Sequence, residues 1–98
     1  MDLAQLTEEM HRFVESQGWY LPDSPKPQTP RNLAGSLSIE AGEVLELFQW
    51  TEEPTSQEAL SGELADVALY LIQLASVSGI DLEDAVLTKL RQNYARTW

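Results

Sequence analysis

The chain has 98 residues, 43% of them hydrophobic and 22% charged, a composition that predicts one small folded domain over residues 1–98. Sixteen acidic residues against six basic ones give a formal net charge of −10, which disfavours nucleic-acid polymers and anionic membranes as partners. The absence of cysteine and the single histidine, His11, exclude disulfides and any metal site that needs two histidines from one chain. The longest apolar stretch, residues 67–80, is too short to span a bilayer, so we expect a cytoplasmic protein.

The first half of the chain predicts two helices separated by a proline-rich loop. Apolar residues recur at helical spacing from Leu3 onwards, and Gly18 is the expected stop because glycine readily adopts the positive φ that follows a helix. The second helix is expected to have Thr29 as N-cap and Pro30 at its first position, where the missing N–H has no helical partner to lose. We expect this helix to extend to about Trp50.

The second half predicts two further helices and no strand. One covers about residues 57–78 and is stopped by Gly79, and Asp81 is the expected N-cap of the last. Short connections favour antiparallel packing of neighbouring helices. The predicted fold is therefore an all-α, four-helix bundle.

Acidic residues occupy positions in the second and third helices where apolar residues are expected. Because a helix turns by about 100° per residue, Glu40 falls inside the apolar stripe of its helix and Glu43 lies at the edge. Glu63 and Asp66 repeat this arrangement on the third helix. Side chains three residues apart are neighbours on a helix, so each pair could bind one cation.

Four carboxylates that converge inside a bundle need either raised pKa values or a neutralising cation. Ligands that are all oxygens favour Mg²⁺ or Mn²⁺, and less so Ca²⁺. The alternative is that both helices are rotated and the acidic side chains face water, as on many acidic surfaces.

The fourth helix carries two cations and an amide, Lys89, Asn93 and Arg96, in one stripe. Such a stripe could bind phosphate oxygens, which need both charge and directed donors. Equally, cations near the end of a helix could simply oppose its dipole.

The apolar side chains of this helix spread over roughly 160° of its surface, wider than one neighbouring helix covers. They are Leu82, Val86, Leu87, Leu90, Tyr94 and Trp98. This width predicts a homo-oligomer.

Two tryptophans, Trp19 and Trp50, stand at predicted helix ends, where a ring face can stack on a nucleobase. Tyr70 lies on an apolar stripe and is expected in the core. Met10 is also expected in the core, with a pocket next to Trp19 as its alternative. His11 is expected on the surface without a functional role.

The pattern Glu40-x-x-Glu43 followed by Glu63-x-x-Asp66 resembles the signature of the MazG-like nucleotide pyrophosphohydrolases, in the all-α nucleoside triphosphate pyrophosphatase superfamily. Residues 30–33 and 47–50 are most similar to the dCTP pyrophosphatase branch, and Lys89-(x)3-Asn93 with Arg96 is similar to the C-terminal substrate motif of the family. Together these motifs cover nearly the whole chain.

The resemblance implies hydrolysis of a nucleoside triphosphate to a monophosphate and pyrophosphate with Mg²⁺, by a homodimer or a dimer of dimers. The implied role is removal of non-canonical nucleotides or adjustment of dCTP. The implied metal ligands are Glu40, Glu43, Glu63 and Asp66. The implied substrate-binding residues are Trp19, Trp50 and Tyr70 around the nucleotide, and Lys89, Asn93 and Arg96 mainly at its phosphates. Either Glu40 or Glu43 would orient the attacking water as the catalytic residue.

Several features depart from the family pattern, among them a longer, proline-rich loop between Trp19 and Pro30 and Thr97-Trp98 where the family often has Tyr-Pro. Met10, and Gln28 or Thr29, stand where the dCTP pyrophosphatase branch often has histidines, and both of these changes concern the base pocket. A redox di-metal bundle would need Glu-x-x-His motifs that the chain lacks. The remaining alternative is a non-catalytic module for helical dimerisation or nucleotide binding.

Overall fold

The computed structural model describes residues 1–97 and contains, within them, four helices and no strand. These are α1 (Leu3–Ser16), α2 (Pro30–Glu46), α3 (Gln57–Val77) and α4 (Leu82–Ala95). The all-α class is confirmed. Trp98, which the sequence assigned to the apolar face of α4, lies outside the described residues.

The helix ends follow local chemistry. Asp2 and Gln5 form a reciprocal capping box, in which each side chain accepts a hydrogen bond of 2.8 Å from the backbone N–H of the other. Thr29 caps α2 by accepting a bond of 3.2 Å from the backbone N–H of Asn32. Gly18 follows α1 with a φ of 74°, a conformation that side chains with a Cβ rarely adopt.

The predicted extension of α2 to Trp50 is wrong, because the α-helix ends at Glu46. The N–H groups of Leu47 and Phe48 bond to carbonyls three residues back, at 3.2 and 3.0 Å. This tightening is a common way for a helix to end, and it needs no glycine or proline that the sequence would reveal.

α3 is the central helix: α2 packs along it most extensively, and α1 and α4 also contact it. The buried core is small: Met10, Val14 and Ile72 form one cluster with partly buried neighbours, and Leu33 and Ala75 are also buried. These neighbours are Leu3, Trp19, Tyr20 and Leu82. No residue of α4 is fully buried, and Val86, Leu87 and Leu90 are exposed, so most of the apolar face of α4 beyond Leu82 is uncovered within residues 1–97.

α3 is also long and apolar enough, by length and composition alone, to span a membrane. A single helix of this kind is weak evidence, because the central helix of a soluble bundle passes the same test. α3 carries Glu63 and Asp66 near its middle, where charges in lipid are heavily penalised.

Candidate functional site

Three of the four predicted ligand carboxylates meet where α2 packs on α3. Glu40, Glu43 and Glu63 each offer an oxygen atom, and these atoms lie within 4.8 Å of one another. All three residues are half-buried. The i, i+3 spacing of the α2 pair places both on the side that faces α3, as the sequence predicted, so the alternative in which the helices turn these three glutamates to water is wrong.

Two oxygens of this group lack partners. Glu40 Oε2 and Glu63 Oε2 are shielded from solvent and receive no hydrogen bond from any described residue. Burial, a hydrogen bond with Glu43 and the neighbouring negative charges raise the pKa of Glu40 to about 7. Burial, with the neighbouring charges, also raises the pKa of Glu63. Carboxylate oxygens that lie close together without hydrogen-bond partners are the ligand atoms that a hard divalent cation requires, so these residues fit such an ion.

Asp66 lies beside this group and not within it. It is exposed, but its negative charge raises the pKa of both Glu40 and Glu63. Asp66 also lines a cavity, so it connects the carboxylate group to the open space next to it.

The cavity measures about 650 Å³, a size typical of small-molecule sites. Its walls come from α1, the loop before α2, the start of α2 and the side of α3. The lining includes Met10, Phe13, Trp19, Pro25, Lys26, Pro27, Gln28, Asn32, Asp66, Tyr70 and Gln73.

Aromatic side chains form one wall of the cavity. The Trp19 ring packs edge-on against Phe13, with centroids 5.7 Å apart and an interplanar angle of 85°. Lys26 Nζ lies 4.9 Å from the centroid of the Trp19 ring, within cation–π range. Tyr70 also lines the cavity, half-buried. The wall therefore offers flat apolar surface for a planar ligand.

A model of the MazG-like family matches residues 36–97, more than half of the chain. The chain belongs to the MazG-like family. The match covers the ExxE pair, the ExxD pair and α4, which confirms the resemblance seen in the motifs. The MazG-like chain also resembles individual proteins in sequence and in structure.

It is 45% identical over 76 residues to dCTP pyrophosphatase 1 of Bos taurus and 42% identical to that of Homo sapiens. Each match covers 68% of this chain but 45% of the relative, so the MazG-like chain spans less than half the length of these proteins. Among solved structures, a pyrophosphatase from Archaeoglobus fulgidus matches with a TM-score of 0.78 and 36% identity. That match covers 92% of this chain and 86% of the other.

Four predicted substrate residues of the MazG-like chain do not line this cavity. Trp50 is 88% exposed and away from it, because the chain leaves α2 after Glu46 and turns through residues 47–50. Lys89 and Asn93 lie on α4, Arg96 follows its last residue with an extended backbone, and all three are also absent from the cavity walls. The structure thus brings Trp19 and Tyr70 together and leaves the α4 stripe apart from them within one chain.

Sequence reasoning missed a polar network beside the cavity. His11, expected on the surface, is half-buried, with Nδ1 2.6 Å from the Tyr20 hydroxyl and Nε2 2.7 Å from Ser76 Oγ. Gln73 Nε2 donates to the Tyr20 hydroxyl at 3.2 Å and to Gln28 Oε1 at 2.7 Å. The signal available was that Gln73 and Ser76 interrupt the apolar stretch of α3, since buried polar side chains need partners.

Proposed function

We propose that this chain is a nucleoside triphosphate pyrophosphohydrolase that converts a (d)NTP and water to a (d)NMP and pyrophosphate. The observation that carries the proposal is the group of Glu40, Glu43 and Glu63, with two buried unpartnered oxygens, next to a cavity walled by aromatic rings. The names of the relatives, dCTP pyrophosphatase 1 and an archaeal pyrophosphatase, support the same reaction class.

The proposed cofactor is Mg²⁺, with Mn²⁺ as an ion of similar ligand preference. Glu40, Glu43 and Glu63 would hold it, and Asp66 completes the proposed ligand set. When bound, the ion neutralises charge on the triphosphate. This role explains why the chain keeps Glu40 and Glu63 half-buried, where leucine would pack at no electrostatic penalty.

One of Glu40 and Glu43 is the proposed catalytic residue. It accepts a hydrogen bond from the water that attacks the α-phosphorus, and pyrophosphate is the leaving group. Both glutamates belong to the carboxylate group beside the cavity that Asp66 lines, which supports either of them in this role.

The base of the nucleotide is proposed to lie in the cavity against Trp19 and Tyr70. The phosphates are proposed to contact Lys89, Asn93 and Arg96. Because these three residues lie outside the cavity of their own chain, we assign them to the site of a neighbouring subunit in a homodimer or homotetramer. The exposed apolar face of α4 and the exposed Trp50 would be covered in that assembly.

The proposed role is the removal of unwanted nucleotides, or adjustment of dCTP, in the cytoplasm. The experiment that tests the activity is incubation of purified protein with a panel of (d)NTPs and Mg²⁺, Mn²⁺ or chelator, with NMP and pyrophosphate measured separately. We expect both products in equal amounts and no NDP. Early release of NDP or of single phosphates would contradict the proposal.

Two variants locate the activity. Glu40→Gln removes one charge from the carboxylate group and should lower kcat by at least about a hundredfold, because several charges act there as one unit. Glu46→Gln, on the exposed side of α2, is the matched control and should retain wild-type turnover. Nucleotide binding without turnover by the wild-type protein would instead favour a nucleotide-binding module.

A further inference from the structure

Gln73 is the most buried polar residue of the cavity wall, with 3% of its surface exposed. Asp66, Tyr70 and Gln73 all line the cavity from α3, at spacings of four and three residues that keep them on one face. Seven residues of helix rise by about 10 Å, so Gln73 lies that far along the axis from the carboxylate end. This separation is comparable to the length of a nucleoside from its 5′ oxygen to the far edge of its base.

Because of its own hydrogen bonds, the Gln73 side chain can offer a ligand only a hydrogen-bond acceptor. Its Nε2 donates to Gln28 Oε1 at 2.7 Å and to the Tyr20 hydroxyl at 3.2 Å, which uses both N–H bonds of the amide. Neither of these hydrogen bonds involves Gln73 Oε1, which is the acceptor end of the amide. A ligand that hydrogen-bonds to Gln73 must therefore donate.

The amide of Gln73 is held in this orientation from two sides. Gln28 Nε2 donates to the backbone carbonyl of Lys26 at 2.7 Å, so Gln28 presents its oxygen to Gln73. A flipped Gln73 amide would put two carbonyl oxygens against each other, which leaves both without a donor in a buried place.

On the other side of the amide, Tyr20 and His11 fix the direction of the hydrogen bonds. Burial raises the pKa of the Tyr20 hydroxyl, which therefore keeps its proton at neutral pH. The hydroxyl accepts from Gln73, so its own proton is assigned to His11 Nδ1, 2.6 Å away. His11 Nε2 then donates to Ser76 Oγ at 2.7 Å. The hydrogen bonds that connect Gln73 to Ser76 through Tyr20 and His11 therefore all run in the same direction.

We propose that Gln73 selects the nucleobase, its Oε1 accepting a hydrogen bond from an exocyclic amino group, with Tyr20 and His11 as positioning residues that hold the amide. The inference rests on the proposed function only in that the ligand is a nucleotide whose base enters this cavity. A base with a carbonyl in place of the amino group would set two acceptors face to face, and both would lose water without compensation. Cytosine is therefore accepted over uracil.

The experiment compares kcat/KM for dCTP and dUTP, which differ in the group at C4 of the pyrimidine. We expect the wild-type protein to favour dCTP by about ten- to a hundredfold, the range for one hydrogen bond to a buried partner. Gln73→Leu removes the acceptor at similar volume and should bring the ratio close to one, mainly through KM for dCTP. Tyr20→Phe removes one of the two supports of the amide, leaves the bond to Gln28 in place and should give an intermediate ratio, again mainly through KM for dCTP.

Gln57→Leu is the matched control, because it is the same substitution on an exposed position of α3 and should leave the ratio at its wild-type value. Circular dichroism identifies variants that do not fold, and Tyr20→Phe keeps the test valid if Gln73→Leu is among them. An unchanged ratio in a folded, active Gln73→Leu protein would overturn the inference, as would a wild-type protein that does not prefer dCTP.

Calorimetric binding of dCMP and dUMP separates this inference from the proposed function. If no triphosphate is hydrolysed but dCMP binds about ten- to a hundredfold more tightly than dUMP, and Gln73→Leu removes that preference, base selection stands and the pyrophosphohydrolase proposal falls. If triphosphates are hydrolysed and neither the dCTP/dUTP nor the dCMP/dUMP ratio changes in Gln73→Leu, the pyrophosphohydrolase proposal stands and base selection by Gln73 falls.

Discussion

Glu40 on α2 and Glu63 on α3 each bury one carboxylate oxygen, and neither oxygen has a hydrogen-bond donor among residues 1–97. Both groups consequently have raised pKa values, and that of Glu40 is about 7. A pair of acids that holds protons more tightly when folded than when unfolded makes the stability of the metal-free protein depend on pH.

The first prediction follows from the sign of this shift. Between the ordinary value of 4.5 and about 7, the folded protein binds more protons at Glu40 than the unfolded chain does. Its contribution to stability is therefore complete below about pH 4.5 and is lost as the pH rises through 7. With chelator present, Tm should fall between pH 5 and pH 8. Glu40→Gln should flatten this fall, whereas Glu46→Gln should not, and a wild-type Tm that rises over the same range would contradict the assignment.

The second prediction concerns a divalent ion. An ion bound only by the folded protein stabilises it by about 2.7 kcal/mol when its concentration is 100 times Kd. We expect Mg²⁺ or Mn²⁺ to raise Tm, and more at pH 8 than at pH 6, because protons compete for Glu40 and Glu63. Differential scanning calorimetry at both pH values measures this. Glu63→Gln should raise Tm in chelator, by removing repulsion, and reduce the increase caused by the ion. Equal increases in the wild-type and variant proteins would place the ion elsewhere.

The third prediction is that the protein self-associates through α4. Val86, Leu87 and Leu90 are exposed in one chain, and burial of apolar surface between two copies would stabilise both. Sedimentation equilibrium at micromolar concentration should give the mass of a dimer or tetramer. Leu90→Glu should reduce that mass and lower activity per chain. Thr88→Glu on the same helix adds the same charge without removing an apolar side chain, and a monomeric wild-type protein with full activity would disprove the prediction.

The fourth prediction tests whether α4 contributes to the site of a second chain. Glu40→Gln and Lys89→Ala proteins should each be nearly inactive alone. If Lys89 acts across an interface, a mixture refolded at equal amounts should regain about a quarter of wild-type activity, since half of random dimers carry one intact site. If Lys89 acts within its own chain, every site has one defect and the mixture stays inactive. Glu63→Gln mixed with Glu40→Gln is the matched control, because both residues belong to the carboxylate group of one chain, so every site keeps a defect and no activity should return.

Local sequence chemistry predicted the parts of the fold that depend on near neighbours. Thr29 and Pro30 begin α2 as expected, and Gly18 follows α1 with the positive φ that its position required. The rotation of about 100° per residue also predicted that Glu40 and Glu63 lie on facing sides of two helices, because a helix has a fixed period once its start is known.

The sequence did not reveal features that depend on distant contacts. His11 bonds to Tyr20, nine residues away, and to Ser76, 65 residues away, and no periodicity relates those positions. The end of α2 at Glu46 depends on a small change in backbone hydrogen bonding. That early end leaves Trp50 outside the cavity of its own chain, so the placement of Trp50 depends on a helix end that the sequence did not predict.

The loop between Gly18 and α2 has a consequence for how a ligand enters. Pro25 and Pro27 both form part of the cavity wall, and proline fixes φ in the free protein as well as in a complex. This wall is therefore shaped before any ligand arrives, and little conformational entropy is lost when one binds. A domain with such a small core can in this way keep an open recess rigid, and we expect association rates set by diffusion and charge, with no slow step of loop folding.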